Sequence, residues 1–331
     1  MSTSTRPYGE ALTTITDMTK IAFLGPQGTF TEQALLDFIA AGHAPADAEP
    51  IAVDSPRKAL DAVREGTCDY AVVALESSVD GPVTHTEDAL VDGSPLQILH
   101  ETLVPIQFAI AARPQSVSDP TKLTSAITSF TTHPVAEAQV RHWMSAHLPH
   151  AAFLPASSNA AAARAVSEGK ADAAACPRRA AELYGLDVVA DGVADMRNAR
   201  TRFVLVGRPH PPTAPTGDDR TGLVFTLPNE PGALLNALTE LSIRGVDMSR
   251  ISSRPIRGKV DAYVFHIGVV GHIEDDAVAE AMAGLHRRTE WVRYLGSWPR
   301  ARAASEPDDA GTAPPDYAES RQWVARSKGN L

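Results

Sequence analysis

The sequence predicts an α/β protein with a two-lobed unit followed by a small ferredoxin-like βαββαβ unit. Three observations carry this. Short apolar runs alternate with helical periodicity from Lys20 to Val206, a proline-rich stretch interrupts the pattern at 207–220, and residues 221–299 then read strand, helix, strand, strand, helix, strand. A chain of 331 residues also exceeds what one hydrophobic core usually fills.

Lys20 to Leu24 is a strand that ends at Gly25-Pro26-Gln27-Gly28, after which Thr29 and Glu32 have the spacing of a capping box. The helix they open buries Ala34, Leu35, Phe38 and Ile39 and stops at Gly42. Ser55-Pro56 gives a second helix its cap and first-turn proline, and Gly66 closes it. Asp69 to Leu75 is an apolar strand that delivers Glu76-Ser77-Ser78 at its carboxyl end, where open α/β sheets gather ligands. The alternation predicts a mostly parallel sheet.

Gln97 to Ala112 reads as a long extended segment that carries the chain between lobes, which places lobe 1 at about 20–100 and lobe 2 at about 105–188. Lobe 2 comprises a strand at 126–129, a helix opened by His133-Pro134, a helix from Ser158-Asn159, a strand at 172–176 and a helix at 178–184. The strand Phe203 to Val206 returns the chain to lobe 1, which 190–206 completes. Residues 207–220 hold four prolines and no apolar periodicity, so they form a semi-rigid linker. The last unit has strands at 223–227, 246–254, 260–270 and 291–298, and helices at 232–244 and 274–287. Residues 1–19 and 300–331 read as flexible tails, with a short helix near Trp323.

Thirty Lys and Arg against forty Asp and Glu leave a net charge of −10, with no basic run of five. That sign repels nucleic acid and anionic lipid, so neither is an expected partner, and an anionic substrate must be met by local positive features. Cys68 and Cys176 stand far apart, which suits a reducing, cytoplasmic setting and excludes a cysteine metal site. The N-terminal stretch has no apolar core of a leader, and no stretch approaches a membrane span. The eleven histidines show no ligand spacing, so metal catalysis is not expected.

The sextet Asn198-Ala199-Arg200-Thr201-Arg202-Phe203 runs straight into Val204-Leu205-Val206. A hydroxyl and a guanidinium at the mouth of an apolar strand suit the grip of a small anion. Gly28, Thr29 and Phe30 read equally well as a tight turn or as a helix start whose N–H groups meet a carboxylate; the spacing fits neither a dinucleotide fingerprint nor a P-loop. Glu76, Ser77 and Ser78 form either a polar loop or part of a site, and Ser-His-Asp chemistry with His85 or His133 lacks a G-x-S-x-G elbow. His133, Ser158 and Asn159 sit at helix starts, where capping is the simple reading of each. Several such starts facing one cleft would make its wall positive without cationic side chains.

Taken together, the motifs closely resemble bacterial prephenate dehydratases with a fused C-terminal ACT domain. The likeness spans about Lys20 to Trp298 and rests on GPQGTFTEQA (25–34), ALESSVDGPV (74–83), THPVAEAQ (132–139), SSNAAAARAV (157–166), NARTRFVLVG (198–207), PGALLNAL (231–238) and SSRP (252–255), in that order. Two positions depart from the family pattern: Ser77 stands where Asn is usual, and Ser252 where the effector motif begins with Glu.

The resemblance implies a periplasmic-binding-protein-like catalytic unit over 20–206 that converts prephenate to phenylpyruvate without a cofactor. It implies catalytic roles for Thr201, Arg202, Phe203 and Glu76, and substrate contacts from Gly28, Thr29, Phe30, Ser77, Ser78, His133, Ser158 and Asn159. Thr201 would donate to the departing ring hydroxyl, with the proton arriving through water, Glu76 or His133. Arg202 would pair with a substrate carboxylate or with Glu76, and positive groups are expected at the pyruvyl end. L-phenylalanine would bind the ACT unit through Asn229, Gly232, Ala233, Leu234, Ser253 and Arg254 in a homodimer or homotetramer. Arogenate dehydration, decarboxylation without aromatisation and a non-catalytic amino-acid sensor remain the alternatives.

Overall fold

The computed structural model describes residues 18–114, 127–256, 258–302 and 317–329; most of the two expected tails lies outside them. The chain begins β1 (Lys20–Leu24), α1 (Phe30–Ala40), β2 (Glu49–Val53), α2 (Pro56–Arg64), β3 (Tyr70–Ser77), β4 (Gly81–Pro82), α3 (Thr84–Val91) and β5 (Gln97–Pro105). It crosses to β6 (Ala109–Ala112), β7 (Ser129–Thr132), α4 (Pro134–His147), β8 (Ala152–Pro155), α5 (Asn159–Ser167), β9 (Ala173–Cys176), α6 (Arg178–Leu183) and β10 (Asp187–Ala190), then returns as β11 (Arg200–Gly207). The first sheet has the order β2-β1-β3-β11-β5, with β4 hung on β3, and the second β10-β6-β9-β7-β8.

The expected mostly parallel arrangement gives way to two mixed sheets. β11 runs antiparallel to both β3 and β5, and β6 antiparallel to β9 and β10. The chain passes between the sheets twice, so the returning strand enters the first sheet against the direction of β3. β11 also begins at Arg200, three residues before the expected start, which puts Thr201 and Arg202 inside the ladder and on opposite faces.

The remaining elements are β12 (Asp219–Thr226), α7 (Ala233–Ser242), β13 (Met248–Pro255), β14 (Tyr263–Val270), α8 (Asp276–Arg288), β15 (Trp291–Pro299) and, at the end, α9 (Tyr317–Ser327). The four strands form an antiparallel sheet ordered β13-β14-β12-β15. This βαββαβ order agrees with the reading from the sequence, shifted by a few residues at element ends.

Alternation along the strands decides what packs where. One face of the first sheet buries Ile21, Phe23, Val72, Phe203 and Leu205 under α1. The opposite face buries Ala22, Val73, Leu75, Val204 and Val206 together with Leu60 of α2, Leu90 of α3, and Val224, Leu295 and Trp298 of the third sheet. The C-terminal unit therefore shares a continuous core with the first sheet. Residues 208–218 are a covalent link beside a packed interface.

Gly296 shows how close that interface is. It has φ +122°, and a Cβ built there would lie 2.3 Å from the carbonyl oxygen of Ile98 on β5. Gly296→Ala is expected to loosen the third sheet from the first and lower the unfolding midpoint. Gly217→Ala, at φ +84° with nothing within 4 Å, should cost only backbone strain of about 1–2 kcal/mol. Denaturant unfolding of the two variants side by side measures the difference.

Candidate active site

A cleft of about 260 Å³ opens between the first two sheets, near the lower end of the size range of small-molecule sites. Its floor is the paired ends of β3 and β11. Thr201 lies opposite Ser77 in the ladder and Phe203 opposite Ala74, and all four line the cleft. Ala74 and Ser77 are three residues apart and would face opposite sides of a regular strand. A bulge in the β3–β11 ladder between Arg202 and Phe203 adds the extra residue that brings both to one side.

The walls come from helix starts on both sheets. Thr29, Phe30 and Thr31 open α1, Val135 and Ala136 open α4, and Ser157 and Ser158 lead into α5. Each cap is made within the chain: Thr29 Oγ1 accepts from Glu32 N–H (3.2 Å), His133 Nδ1 from Val135 N–H (3.3 Å) and Ser158 Oγ from Ala161 N–H (3.0 Å). The partial positive charge of three helix ends thus points at one space. Among the described residues, no Lys or Arg lines the cleft and Asp80 is its charged residue. The helix starts expected at a cleft wall do lie there, and among the described residues no cationic side chain lies on the lining for the pyruvyl end.

Six of the residues proposed from the sequence meet here: Thr29, Phe30, Ser77, Ser158, Thr201 and Phe203. Thr201 is 9% exposed and its hydroxyl has no partner among the described residues. Phe30 meets Phe108 edge to face at 5.6 Å, an apolar wall suited to a six-membered ring. Ser77 Oγ accepts from Val79 and Asp80 N–H (both 3.2 Å), so this departure from the family pattern stabilises the turn after β3.

The other residues proposed as catalytic or substrate-binding serve elsewhere. Gly28 donates its N–H to Glu32 (2.8 Å), which fills the expected anion position with the protein's own carboxylate, and Arg179 Nε pairs with that carboxylate at 3.1 Å. Gly28 also abuts Ala180, 3.1 Å from where its Cβ would stand. Ser78 binds the backbone of Arg200, accepting from its N–H (2.9 Å) and donating to its carbonyl (2.8 Å). Asn159 Oδ1 accepts from Thr132 Oγ1 and His133 N–H. His133 is a cap, and burial lowers its pKa, so it is a poor proton donor near neutral pH.

Glu76 and Arg202 are the largest correction. Alternation turns both to the face away from the cleft, where Arg202 pairs with Glu101 (2.5 Å) and approaches Glu76 (3.6 Å). Of the two partners the sequence allowed for Arg202, the structure shows the protein's own carboxylates. Sequence reasoning also passed over Asp80 and Gln139, which line the cleft and bridge its two sides through Gln139 Nε2 and Asp80 Oδ2 at 3.2 Å. Gln139 Oε1 is buried without a partner. Both stood inside motifs already singled out, and a polar residue closing such a motif was the available signal.

In the third unit, Gly232 caps α7 in the left-handed conformation with no side-chain cap, Ala233 N–H donates to the Glu230 carbonyl (3.2 Å), and Asn229 in the loop before is exposed. Ser253 pairs with Phe265, which also pairs with Phe225, so Ser253 and the loop after β12 share one end of the sheet. Arg254 points to the other face and pairs with Asp88 of α3 at 3.3 Å, so its guanidinium is engaged within the chain. Ser252 Oγ donates to the buried Glu87 at 2.5 Å; a glutamate there would bring two carboxylates together.

Burial holds the pKa of His266, on β14 at this interface, at about 4, and that of His100 on β5 at about 4 as well. In the unfolded chain both take up a proton near pH 6.5. The unfolded state therefore binds more protons between pH 6.5 and 4, and stability falls as pH is lowered through that window. Thermal unfolding is expected to show a flat midpoint above pH 6.5 and a steady decline toward pH 4.

Comparison with known proteins bears on this geometry. The prephenate dehydratase family model matches residues 21–211. A prephenate dehydratase of Mycobacterium sp. strain JLS is 50% identical over 320 residues, 95% of this chain and 98% of that protein. The structure of an Arthrobacter aurescens prephenate dehydratase in complex with L-Phe has a TM-score of 0.81 at 41% identity, covering 94% of this chain and 100% of that one. A structure described as a novel type of quorum-quenching acylase reaches 0.74 at 30% identity, covering 85% of this chain and 98% of that one. With the cleft, the TRF strand and these likenesses in place, the chain belongs to the prephenate dehydratase family.

Proposed function

We propose that this cleft converts prephenate to phenylpyruvate, and that Thr201 is the residue that acts on the leaving group. The observation that carries the reading is the nearly buried Thr201 hydroxyl, free of protein partners, on the floor of a cleft walled by helix starts. In the reaction the ring carboxylate leaves as CO2, its bonding electrons enter the ring, and the ring C–O bond breaks on the opposite side. Hydroxide takes up a proton and departs as water. Thr201 donates a hydrogen bond to the departing oxygen; its pKa is too high for full proton transfer near neutral pH.

Of the proton sources considered, Glu76 faces away and His133 is a neutral cap, which leaves water entering from the open mouth. The lack of a cationic side chain suits decarboxylation, because a ground-state salt bridge to the ring carboxylate would raise the barrier. Helix ends on the other wall hold the side-chain carboxylate. A hydrolytic reading has less support: Ser77 and Ser158 hold backbone N–H groups, and no histidine lines the cleft.

The same reading takes 20–206 as a catalytic unit of two lobes, 207–220 as a linker and 221–299 as an ACT regulatory unit. L-phenylalanine would seat its carboxylate on the uncapped start of α7, near Ser253, where two copies of the chain meet, and inhibit. The Arthrobacter aurescens relative described with L-Phe supports this, as does the βαββαβ order. Two buried free thiols, Cys68 and Cys176, fit a cytoplasmic setting.

Purified protein given prephenate should release phenylpyruvate, read by its ultraviolet absorbance. No release would overturn the assignment. Asp80 in the cleft gives a specific reason to run arogenate beside it, since arogenate carries an ammonium where prephenate has a ketone. Phenylalanine as the preferred product would favour arogenate.

A further inference from the structure

Behind the cleft, on the other face of β3 and β11, lies a partly buried cluster of three glutamates and three arginines, in which the Glu76 side chain is 31% exposed. Glu76, Glu87 and Glu101 come from β3, α3 and β5; Arg202 comes from β11, and Arg220 and Arg250 from β12 and β13 of the third sheet. The side chains of Glu87 and Glu101 are fully buried and those of Arg220 and Arg250 are 8% and 9% exposed. Arg250 Nε lies 3.5 Å from Glu76, and its terminal nitrogen binds Glu87. Glu76 lies in turn 3.6 Å from Arg202.

We infer that Arg250 is a positioning residue for the cleft: it reaches from β13 to Glu76 and, through the Glu76–Arg202 pair, sets where Ser77 and Thr201 stand on the far side of the same two strands. The link is short. Glu76 precedes Ser77, and Arg202 follows Thr201, so the anchored side chains and the cleft side chains are neighbours on one backbone. Glu76 and Arg202 face each other in the ladder beside the bulge, where the strand pair is least restrained by regular pairing. At 3.5 and 3.6 Å these contacts are ion pairs without a hydrogen bond, and it is the charge of the two arginines that holds Glu76 at a strand end that apolar packing alone leaves free to slide.

Position along β13 adds a second observation. Arg250, Ser252 and Arg254 all face the first sheet, on Glu76 and Glu87, on Glu87, and on Asp88, while Ile251 and Ser253 between them are exposed. One strand thus carries an exposed row and a row anchored to the catalytic side. Among the described residues the Nε groups of Arg202, Arg220 and Arg250 have no hydrogen-bond partner.

The test uses the full chain with R250M, R250K and E76Q. Amide hydrogen exchange followed by mass spectrometry is expected to show R250M and E76Q exchanging at least tenfold faster in 198–203 and 74–80, with 20–24 on β1 unchanged. R250K, which keeps a cation, should restore most of the protection. On the dehydratase reading, R250M should also lower kcat about tenfold with KM within twofold of wild type. Unchanged exchange at the two strand ends overturns the inference, and so does a rise spread equally over β1, which marks general loosening. If R250M does not fold, E76Q decides in the same way. The exchange result stands whatever the substrate, so its failure is distinct from a wild-type chain that does not turn over prephenate.

Discussion

Thr201→Val is expected to lower kcat by on the order of 10²–10³-fold, the usual loss when one preorganised donor to a developing oxyanion is removed. KM should change little, because the hydroxyl matters most when charge has built up on the departing oxygen. Valine keeps the shape of threonine on β11, so Ser77 opposite and Phe203 two residues on remain in place. Thr201→Ser keeps the donor and should stay within about tenfold of wild type. Phenylpyruvate release under saturating prephenate measures both. Equal loss in the two variants would mean that the methyl group, not the hydroxyl, matters, and near wild-type activity in Thr201→Val would remove Thr201 from the chemistry.

Glu101→Ala is expected to destabilise the protein by on the order of 3–5 kcal/mol, the cost of breaking a buried ion pair from one side. Glu101 accepts from Arg202 (2.5 Å), Trp298 Nε1 (2.9 Å) and Ala301 N–H (2.9 Å) and lies 3.5 Å from Arg220. Its loss leaves an indole N–H unpaired and takes from two arginines a buried carboxylate, with only Glu76 at 3.6 Å left to Arg202 and Ser249 Oγ at 2.8 Å left to Arg220. Burial already lowers the pKa of Arg220, which reflects how poorly that site tolerates a bare charge. Glu101→Leu combined with Arg202→Met should recover part of the loss, since an apolar replacement of both partners is often neutral, while Trp298 Nε1 stays without its acceptor. Denaturant unfolding of the singles and the double gives the coupling; additive losses would show that the pair does not interact.

Local chemistry made much of the chain legible. Thr29, Ser55 and Ser158 were readable as caps because a hydroxyl before an apolar periodic run has little else to do, and all three accept the expected N–H. The βαββαβ order was readable because each of its elements carries its own period. The cleft was half legible. Thr201 and Phe203 line the cleft, whereas Arg202 and Glu76, which adjacency in a motif suggests for the same site, lie on the other face. In a strand adjacency means the opposite, and reading β11 from Arg200 would have separated Thr201 from Arg202 at once.

Propensity, capping and apolar periodicity act within a turn or two of chain, so most elements and their order can be read from the residues alone, although β2, α3, β8 and β10 carry too little of such a signal. Which face of each strand meets the cleft, the antiparallel entry of β11 into the first sheet, and the core and six-charge cluster that the third sheet shares with the back of the site follow from contacts distant in sequence. Range separates the two. Glu76 and Arg250 are brought together by a fold that closes 174 positions of chain, and no local preference of either residue encodes the other as its partner.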